Sequence, residues 1–307
     1  MTMVSVVVPV YHNEGSLLPL YEKFTEIEAQ LNAQDITLQL IFVDDGSQDA
    51  SFERLMEIKK KRPETTIVKL ARNFGAVTAS KTGLKFVEGD CFMWIAADLQ
   101  DPPTVILEMV SHWKAGNKYV IVVRNQREDP PLSKLFSSIY YRLLRTFVMP
   151  NYPEGGFDLA MMDAQLLPYI RDSSKRINTP LLSYWLGFTP YVMTYDRQKR
   201  IHGKSQWSFI KRLNFMLDSL LGFSVLPLRF ISFVGLIVSI LSFLYGISVS
   251  VAAILGNVPV QGFATLVSLI TFLLGLIIIM LGIIGEYIWR IFIQVNQRPE
   301  AVIDEVY

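Results

Sequence analysis

Polar side chains follow each of four short apolar runs in the N-terminal third of the chain. Tyr11-His12-Asn13-Glu14 and Asp44-Asp45-Gly46-Ser47 follow the first two runs, and Arg72-Asn73-Phe74-Gly75 and Asp98-Leu99-Gln100-Asp101 follow the next two. Carboxylates accept hydrogen bonds and bind cations, whereas arginine forks suit phosphate. A single such cluster is ordinary turn or helix-cap chemistry. Four in succession indicate a functional site.

The elements that must position these clusters are strands and helices in alternation. Five β-branched runs are predicted to be buried strands: Val4–Val10, Leu38–Asp44, Thr66–Leu70, Cys91–Ala96 and Tyr119–Arg124. Four stretches between them have helical apolar spacing: Ser16–Ala33, Ser51–Arg62, Gly75–Val87 and Thr104–Ala115. This order predicts an α/β fold with a mostly parallel, Rossmann-like sheet and helices on both faces. Because ligands of such sheets bind at the carboxyl ends of the strands, the clusters are expected to meet at one edge.

The C-terminal part of the chain differs in kind. Between Phe230 and Gly285 there is no Asp, Glu, Lys or Arg. Arg229–Leu255 and Gly262–Ile293 are each long enough to cross a hydrocarbon core about 30 Å thick, and the short connection at 256–261 requires an antiparallel hairpin. A pair of buried core helices is the alternative, but core helices rarely lack charge over such a length.

Basic residues flank the predicted hairpin. Lys211, Arg212 and Arg229 precede it, Arg290 and Arg298 lie at its end, and the connecting loop carries no Lys or Arg. The positive-inside rule then predicts a multi-pass inner-membrane protein whose soluble body and both termini are cytoplasmic.

The predicted organisation has four parts: a soluble α/β domain at 1–204, an interfacial region at 205–226, a transmembrane hairpin at 227–294 and a cytoplasmic tail at 295–307. Trp207–Phe223 mixes apolar residues with charged ones, as in a helix that lies in the membrane interface. Docking of this helix on the sheet is an equal alternative.

Composition excludes several classes of protein. The 29 Lys+Arg against 28 Asp+Glu argue against a nucleic-acid-binding protein, which usually carries a basic excess. The single cysteine, Cys91, excludes an internal disulfide framework. The N-terminus has no basic region of the kind that begins a signal peptide, so no targeting signal is expected.

These motifs resemble those of the family-2 glycosyltransferases with the GT-A fold, over nearly the whole chain. Within that family the sequence is similar to the polyprenyl-phosphate sugar transferases, namely bactoprenol glucosyltransferases and dolichyl-phosphate mannose synthases. The two-helix hairpin separates this branch from soluble relatives. The matching residues are Pro9-Val10-Tyr11 with Asn13-Glu14, Val43-Asp44-Asp45-Gly46-Ser47, Arg72-Asn73-Phe74-Gly75, Asp98-Leu99-Gln100-Asp101-Pro102, Arg200-Ile201-His202-Gly203-Lys204-Ser205 and Leu281-Gly282-Ile283-Ile284-Gly285-Glu286-Tyr287-Ile288.

The resemblance implies a nucleotide-sugar donor. The nucleotide-binding residues that it implies are Pro9, Tyr11, Glu14, Asp44, Arg72 and Asp98. Asp44 is expected to accept a ring N–H of uracil or guanine, while Pro9 and Tyr11 close the base pocket and Glu14 supports it. UDP-glucose is the donor that the resemblance to bactoprenol glucosyltransferases favours, and GDP-mannose is the alternative.

A divalent cation, Mg²⁺ or Mn²⁺, is also implied, with Asp98 and Gln100 as its ligands. Such ions prefer oxygen ligands and neutralise a leaving diphosphate. Family members usually carry Asp-x-Asp-x-Gln, but Ala96 replaces the first aspartate here. Metal affinity is therefore expected to be low until the nucleotide phosphates complete the coordination shell. The alternative for Asp98 is a turn or cap role before Pro102.

The implied acceptor is a polyprenyl phosphate, such as undecaprenyl phosphate. Its phosphate monoester is largely dianionic at neutral pH because its second pKa is about 6. It therefore needs cationic positioning more than a general base. The residues that the resemblance assigns to this phosphate are Arg124, Lys134, Ser138, Arg200 and Ser205. A solvated surface charge is the alternative for any one of them, and Lys134 stands where arginine is commoner.

Asp158 follows Gly155-Gly156-Phe157, where relatives carry a Phe-Arg pair. It is expected to contact sugar hydroxyls or orient the acceptor, and a turn cap is the alternative. With Asp98 and Arg200, it completes the predicted catalytic set.

The predicted activity is inverting transfer of a sugar from a UDP-sugar to polyprenyl phosphate by a membrane-bound enzyme. The resemblance also implies a homotetramer. A processive polysaccharide synthase is disfavoured because the sequence has no Gln-x-x-Arg-Trp motif. A catalytically inactive membrane scaffold is the alternative from another class, and Ala96 motivates it.

Overall fold

The computed structural model describes residues 2–125, 131–175, 177–195, 209–255, 262–296 and 298–307. The chain forms two compact units. Unit 1 contains Met1–Ser219 and Arg298–Tyr307, and unit 2 contains Leu220–Gln297.

Unit 1 is built on an eight-stranded sheet with the strand order β7-β5-β6-β4-β1-β2-β3-β8. The strands are β1 Thr2–Val10, β2 Ile36–Asp44, β3 Thr66–Leu70, β4 Cys91–Trp94, β5 Tyr119–Arg124, β6 Leu159–Asp163, β7 Tyr191–Tyr195 and β8 Ile303–Val306. β6 pairs antiparallel with β4 and β5, and β8 pairs antiparallel with β3. The other pairings are parallel. The α/β fold with a mostly parallel sheet is therefore confirmed.

Helices cover both faces of this sheet. In unit 1 they are α1 Leu17–Asn32, α2 Ser51–Lys61, α3 Ala76–Gly83, α4 Val105–Lys114, α5 Pro131–Phe147, α6 Leu167–Arg171 and α7 Thr179–Trp185. A further helix, α8 Phe209–Phe223, begins in unit 1 and ends in unit 2. In β1, Val6 and Val8 belong to the core that contains α1, α2 and α4, whereas Val7 belongs to the core that contains α3 and α6. Gly83 permits the close approach of α3, because a Cβ there would lie 2.4 Å from Cγ1 of Val7.

The five predicted strands and four predicted helices are present within a few residues of their expected bounds. Strands β6, β7 and β8 are not among those predicted from the sequence. These strands have four or five residues, and β7 and β8 lie at the two edges of the sheet. Edge strands expose one side, so they lack the continuous apolar run that marks a central parallel strand.

The last residues of the chain belong to unit 1 and form its eighth strand. Val306 is in register with Val68, and the backbones of Tyr307 and Ile67 exchange hydrogen bonds of 2.8 and 3.1 Å. The buried ammonium of Lys81 binds Glu300 at 2.9 Å. The segment 295–307, treated above as a tail, thus contains an integral part of the sheet.

Unit 2 contains the two long apolar helices α9 Leu226–Ile254 and α10 Phe263–Val295. Each includes a 24-residue stretch that is long and apolar enough to cross a membrane. These stretches are almost entirely exposed, with 6% of the residues buried in the first and 0% in the second. Such exposure is unlike that of buried core helices and indicates association with a membrane.

The two helices of unit 2 pack as an antiparallel pair. A Cβ added to Gly235 would lie 3.0 Å from Cε of Met280, so the small residue lets the helices approach. Nearer the carboxyl end of α10, the hydroxyl of Tyr287 donates to the carbonyl of Ser224 at 3.0 Å. These contacts give the helices the form of a hairpin.

Candidate active site

The parallel strands of the sheet all end on one side, which we call the rim, and polar residues from seven strands lie there. The carboxyl ends of β1–β5 and β7 lie there, together with the amino end of the antiparallel β6. We call the ends of β1–β4 the donor half of the rim, and the ends of β5, β6 and β7 the acceptor half, after the ligands that the sequence resemblance predicts there. Since the first four strands are parallel, the four polar clusters share this edge as expected.

Asp44 ends β2 on the donor half and is 1% exposed. Its Oδ1 accepts a hydrogen bond of 3.2 Å from the backbone N–H of Ser47. Its Oδ2 is buried and has no hydrogen-bond partner among the described residues. Burial raises the pKa of Asp44 above its ordinary value, although the Ser47 hydrogen bonds offset part of this shift. A buried acceptor without a donor is costly, so this oxygen suits a ligand N–H.

Asp45 is also buried, but its carboxylate is fully engaged with the backbone. Its two oxygens accept from the N–H groups of Phe74 and Gly75, at 2.6 and 2.8 Å. Burial raises its pKa, and these two hydrogen bonds counter the shift. The third cluster is therefore fixed to the second by a structural carboxylate that the sequence analysis did not single out.

Close backbone approach strengthens this link between the second and third clusters. Gly46 has φ +70°, and a Cβ there would lie 2.7 Å from the carbonyl carbon of Arg72. Only glycine fits this position without displacing backbone. Arg72 itself is exposed, and its guanidinium lies 4.3 Å from the ring centre of Phe74.

The first cluster is joined to the start of α2. The N–H of Asn13 donates to Oγ of Ser51 at 2.8 Å. Oε2 of the exposed Glu14 accepts from the N–H of Ala50 at 3.0 Å. Tyr11 is half-buried and stacks on His12 with ring centres 4.1 Å apart. Half-buried Pro9 precedes them near the end of β1. Glu14 thus supports the loop of the first cluster through the backbone of α2.

The fourth cluster carries the predicted cation ligands Asp98 and Gln100. Both are half-buried, and Oδ1 of Asp98 accepts from the N–H of Gln100 at 3.2 Å. Within the described residues, no group of three His, Cys, Asp or Glu could hold a metal ion. A carboxylate and an amide carbonyl on one short loop are oxygen ligands of the type that Mg²⁺ and Mn²⁺ accept. The donor set therefore fits such an ion if a ligand supplies the remaining oxygens.

On the acceptor half, Arg124 and Asp158 bind each other. Nε and Nη2 of Arg124 donate to the two carboxylate oxygens of Asp158 at 2.6 and 2.5 Å. Their side chains are 21% and 13% exposed. Burial lowers the pKa of Arg124, but its bond to Asp158, with smaller contributions from Tyr195 and Asp101, raises it overall. These two residues have separate predicted roles, and the structure places them together.

The other predicted acceptor residues have different settings. Lys134 lies in α5, and Ser138 on the same helix is exposed. Arg200 and Ser205 lie outside the described residues.

A second unpredicted contact joins the two halves of the rim. The hydroxyl of Tyr195, at the end of β7, donates to Oδ1 of Asp101 in the fourth cluster. They are 7% and 5% exposed. A Tyr at a strand end and an Asp beside a motif are weak signals, because only folding brings them together across 94 positions of sequence.

A mostly parallel sheet with polar clusters at the carboxyl ends of its strands is the arrangement in which α/β enzymes bind their ligands. The chain belongs to glycosyl transferase family 2, whose sequence profile matches residues 5–170. The crystal structure of glucosyl-3-phosphoglycerate synthase from Mycobacterium tuberculosis is similar, with a TM-score of 0.50 and 15% identity. That match covers 70% of this chain and 76% of the other. It supports the GT-A fold.

Relatives are similar over nearly their full length. An uncharacterized glycosyltransferase of Synechocystis is 32% identical over 99% of this chain and 95% of its own. The SfII prophage-derived bactoprenol glucosyl transferase of Shigella flexneri is 32% identical over 98% of this chain and 97% of its own. The prophage bactoprenol glucosyl transferase homolog of Escherichia coli K12 is 30% identical over 99% of both. The protein is thus a glycosyltransferase enzyme, similar to bactoprenol glucosyl transferases.

Proposed function

We propose that this protein transfers glucose from UDP-glucose to the phosphate of a polyprenyl lipid at the membrane. The observation that carries the proposal is the similarity to the Shigella flexneri bactoprenol glucosyl transferase. It extends over 98% of this chain and therefore includes both the rim and the apolar hairpin. A lipid acceptor accounts for the membrane hairpin, whereas a soluble acceptor gives no reason for it.

The donor half of the rim suits a uridine nucleotide. The buried Oδ2 of Asp44, which lacks a partner in the described part of the chain, would accept the ring N3–H of uracil. Tyr11 and Pro9 would close the base pocket, with Glu14 as its support. Arg72 would bind the nucleotide phosphates, because a guanidinium matches their geometry.

Asp98 and Gln100 would hold Mg²⁺ or Mn²⁺ together with the oxygens of the diphosphate. When bound, the ion would neutralise the negative charge that develops on the leaving nucleotide.

The reaction is a single in-line displacement. An oxygen of the lipid phosphate attacks the anomeric carbon of glucose, and the bond from that carbon to the β-phosphate oxygen of UDP breaks. UDP keeps the electron pair of the broken bond, and the α-linked donor becomes a β-linked lipid phosphate sugar. The rim residues hold the two reactants in line, because the reacting atoms must come within about 3–3.5 Å.

The acceptor half would hold the lipid phosphate. Arg124, Lys134, Ser138, Arg200 and Ser205 are its proposed ligands. Asp158 would orient Arg124 through the bidentate pair and contact the sugar or the acceptor.

The hairpin supports a cytoplasmic site. The chain leaves unit 1 after Ser219 and returns to it at Arg298, with two candidate spans between these points. Two crossings bring the chain back to the side from which it started. The flanking basic residues favour the cytoplasmic side for both ends.

The test is transfer of radiolabel to lipid. Membranes that contain the protein are incubated with labelled UDP-glucose and undecaprenyl phosphate, and matched membranes carry Asp98→Ala. We expect label in the organic phase only for the natural sequence. Label from GDP-mannose instead would change the sugar and nucleotide. Thermal stabilisation by nucleotide without transfer from any nucleotide sugar would favour an inactive scaffold and overturn the proposal.

A further inference from the structure

The loop that carries Asp98 and Gln100 is held near both of its ends. At its start, Oγ of Ser16 donates to the carbonyl of Ala97 at 2.6 Å. At its end, the carboxylate of Asp101 accepts from the hydroxyl of Tyr195. Between these points Leu99 has φ +57°, which a residue with a side chain adopts only when its surroundings enforce it.

Tyr195 connects this loop to a distant strand. In the sheet, β6 and β5 lie between β4 and β7, so three strand spacings separate the two ends, about 14 Å. The loop after β4 therefore extends along the rim, past the ends where Arg124 and Asp158 lie. Tyr195 is in register with Arg124, and its carbonyl accepts from the N–H of Asn125 at 3.0 Å.

The position of Tyr195 in the chain links its bond with Asp101 to both proposed binding regions. It is the last residue of β7, and the segment with Arg200 and Ser205 follows directly. Tyr195 thus has its backbone on the strand that leads to the proposed acceptor residues and its hydroxyl on the loop with the proposed cation ligands. Both partners are almost fully buried, so loss of the bond leaves a buried oxygen to be satisfied elsewhere.

We propose that Tyr195 is a positioning residue for sugar transfer. Its bond to Asp101 sets the distance between the loop that carries Asp98 and Gln100, which we call the cation loop, and the end of β7 beside Arg124. This inference rests on the proposed function. Its physical basis is that a displacement of about 1 Å between reactants costs roughly 100-fold in rate.

The first test is Tyr195→Phe, which removes one hydroxyl and keeps the ring. We expect kcat for transfer to fall about 10-fold, the effect of one buried hydrogen bond to a carboxylate. KM for UDP-glucose should change less than kcat. A second readout needs no turnover: binding of Mn²⁺ in the presence of UDP, measured by loss of the free-ion EPR signal, should weaken several-fold.

Tyr119→Phe is the matched control. The hydroxyl of Tyr119 is also buried and shares a 2.8 Å hydrogen bond with Ser183. Tyr119 begins β5, whereas Arg124 ends it at the rim, so the bond of Tyr119 lies at the other end of the strand, away from the rim. Thermal unfolding of both variants measures the structural cost. We expect kcat and Mn²⁺ binding to stay at the natural level in Tyr119→Phe, even where Tm falls.

Substitution of Asp101 tests whether the effect of Tyr195→Phe comes from loss of the hydrogen bond between Tyr195 and Asp101. Asp101→Asn keeps an oxygen that accepts from Tyr195, so it should retain most activity, whereas Asp101→Ala should resemble Tyr195→Phe. In the double variant Tyr195→Phe/Asp101→Ala, kcat should be little lower than in the single variants, because both substitutions remove the same contact.

The inference is overturned if Tyr195→Phe keeps natural kcat and natural Mn²⁺ binding, or if the two effects in the double variant multiply. Failure of the proposed function has a different signature. In that case the natural sequence transfers no sugar, while the comparison of Mn²⁺ binding between Tyr195→Phe and Tyr119→Phe still decides the role of Tyr195 in placing the cation loop.

Discussion

The two halves of the rim are held together by different kinds of bond. On the donor half, backbone N–H groups hold the buried Asp44 and Asp45, and a glycine allows the loops to touch. On the acceptor half, the principal described contact is an ion pair between two side chains, Arg124 and Asp158. Backbone contacts fix a site before the ligand arrives, whereas a charged pair can exchange one partner for a phosphate. We therefore expect a preformed donor site and an acceptor site that rearranges.

The largest effect is expected at the donor half from Asp98→Ala. Loss of the cation ligand should reduce transfer by about 1000-fold, because the charge on the leaving diphosphate is then poorly neutralised. Radiolabel in the lipid phase measures the rate. Asp163→Asn is a control, since Asp163 ends β6 on the side of the sheet away from the rim. Its carboxylate accepts from Nε1 of Trp113 at 3.0 Å. Equal losses in both variants would contradict the role of Asp98.

Neighbouring aspartates provide the sharpest comparison within the donor half. Asp44→Asn should weaken UDP binding about 100-fold, because the amide oxygen is needed by the N–H of Ser47 and the amide N–H then faces the ring N–H. Its Tm should not fall, since burial penalises the natural charge. Asp45→Asn should lower Tm, because one of the N–H groups of Phe74 and Gly75 would face an amide N–H. Calorimetry and thermal unfolding measure the two quantities. Reversed results would exchange the two roles.

A smaller effect is expected at the acceptor half. Arg124→Lys should raise KM for polyprenyl phosphate about 10-fold, because lysine cannot form the bidentate contact. KM for UDP-glucose should stay unchanged, which separates the two halves of the rim. Arg171→Lys alters another bidentate pair, between Arg171 at the end of α6 and the next residue, Asp172, and should change neither constant. A parallel change in both KM values for Arg124→Lys would contradict the division of the rim.

The smallest effect concerns pH. Burial raises the pKa of Asp44, so its carboxylate becomes protonated at a higher pH than an ordinary aspartate. Protonation stabilises the free protein as the pH falls but removes the charged acceptor for the base. Affinity for UDP-glucose should therefore drop several-fold as the pH falls through this raised pKa, and Asp44→Asn should lose that dependence. Titration calorimetry at a series of pH values measures it. An identical pH profile in Asp44→Asn would assign the effect elsewhere.

The fold and much of the donor half were predictable from sequence. The apolar runs that become β1–β5 are buried on both faces, so local composition identifies them without knowledge of their neighbours. β5 has the predicted bounds, Tyr119–Arg124. The polar residues that follow each run were expected at one edge because parallel strands all end there. No long-range contact has to be known for this prediction.

The edges of the sheet and the contacts across the rim were not predictable. β8 pairs with β3 from the far end of the chain, after the two apolar helices, and no local pattern indicates that partner. Asp44 and Asp45 are chemically identical neighbours, yet one carboxylate keeps an oxygen without a partner in the described structure and the other binds two backbone N–H groups. Their difference depends on which loop lies against each.

The sequence by itself determined the α/β fold, the two long apolar helices near the C-terminus and the end of the sheet where the polar clusters lie. These properties follow from runs of residues whose burial or exposure is a local matter. Only the tertiary structure paired Arg124 with Asp158, joined Tyr195 to Asp101 and returned the last ten residues to unit 1, with β8 in its sheet. Such contacts depend on distance and direction between segments far apart in the chain, and residue type alone carries neither.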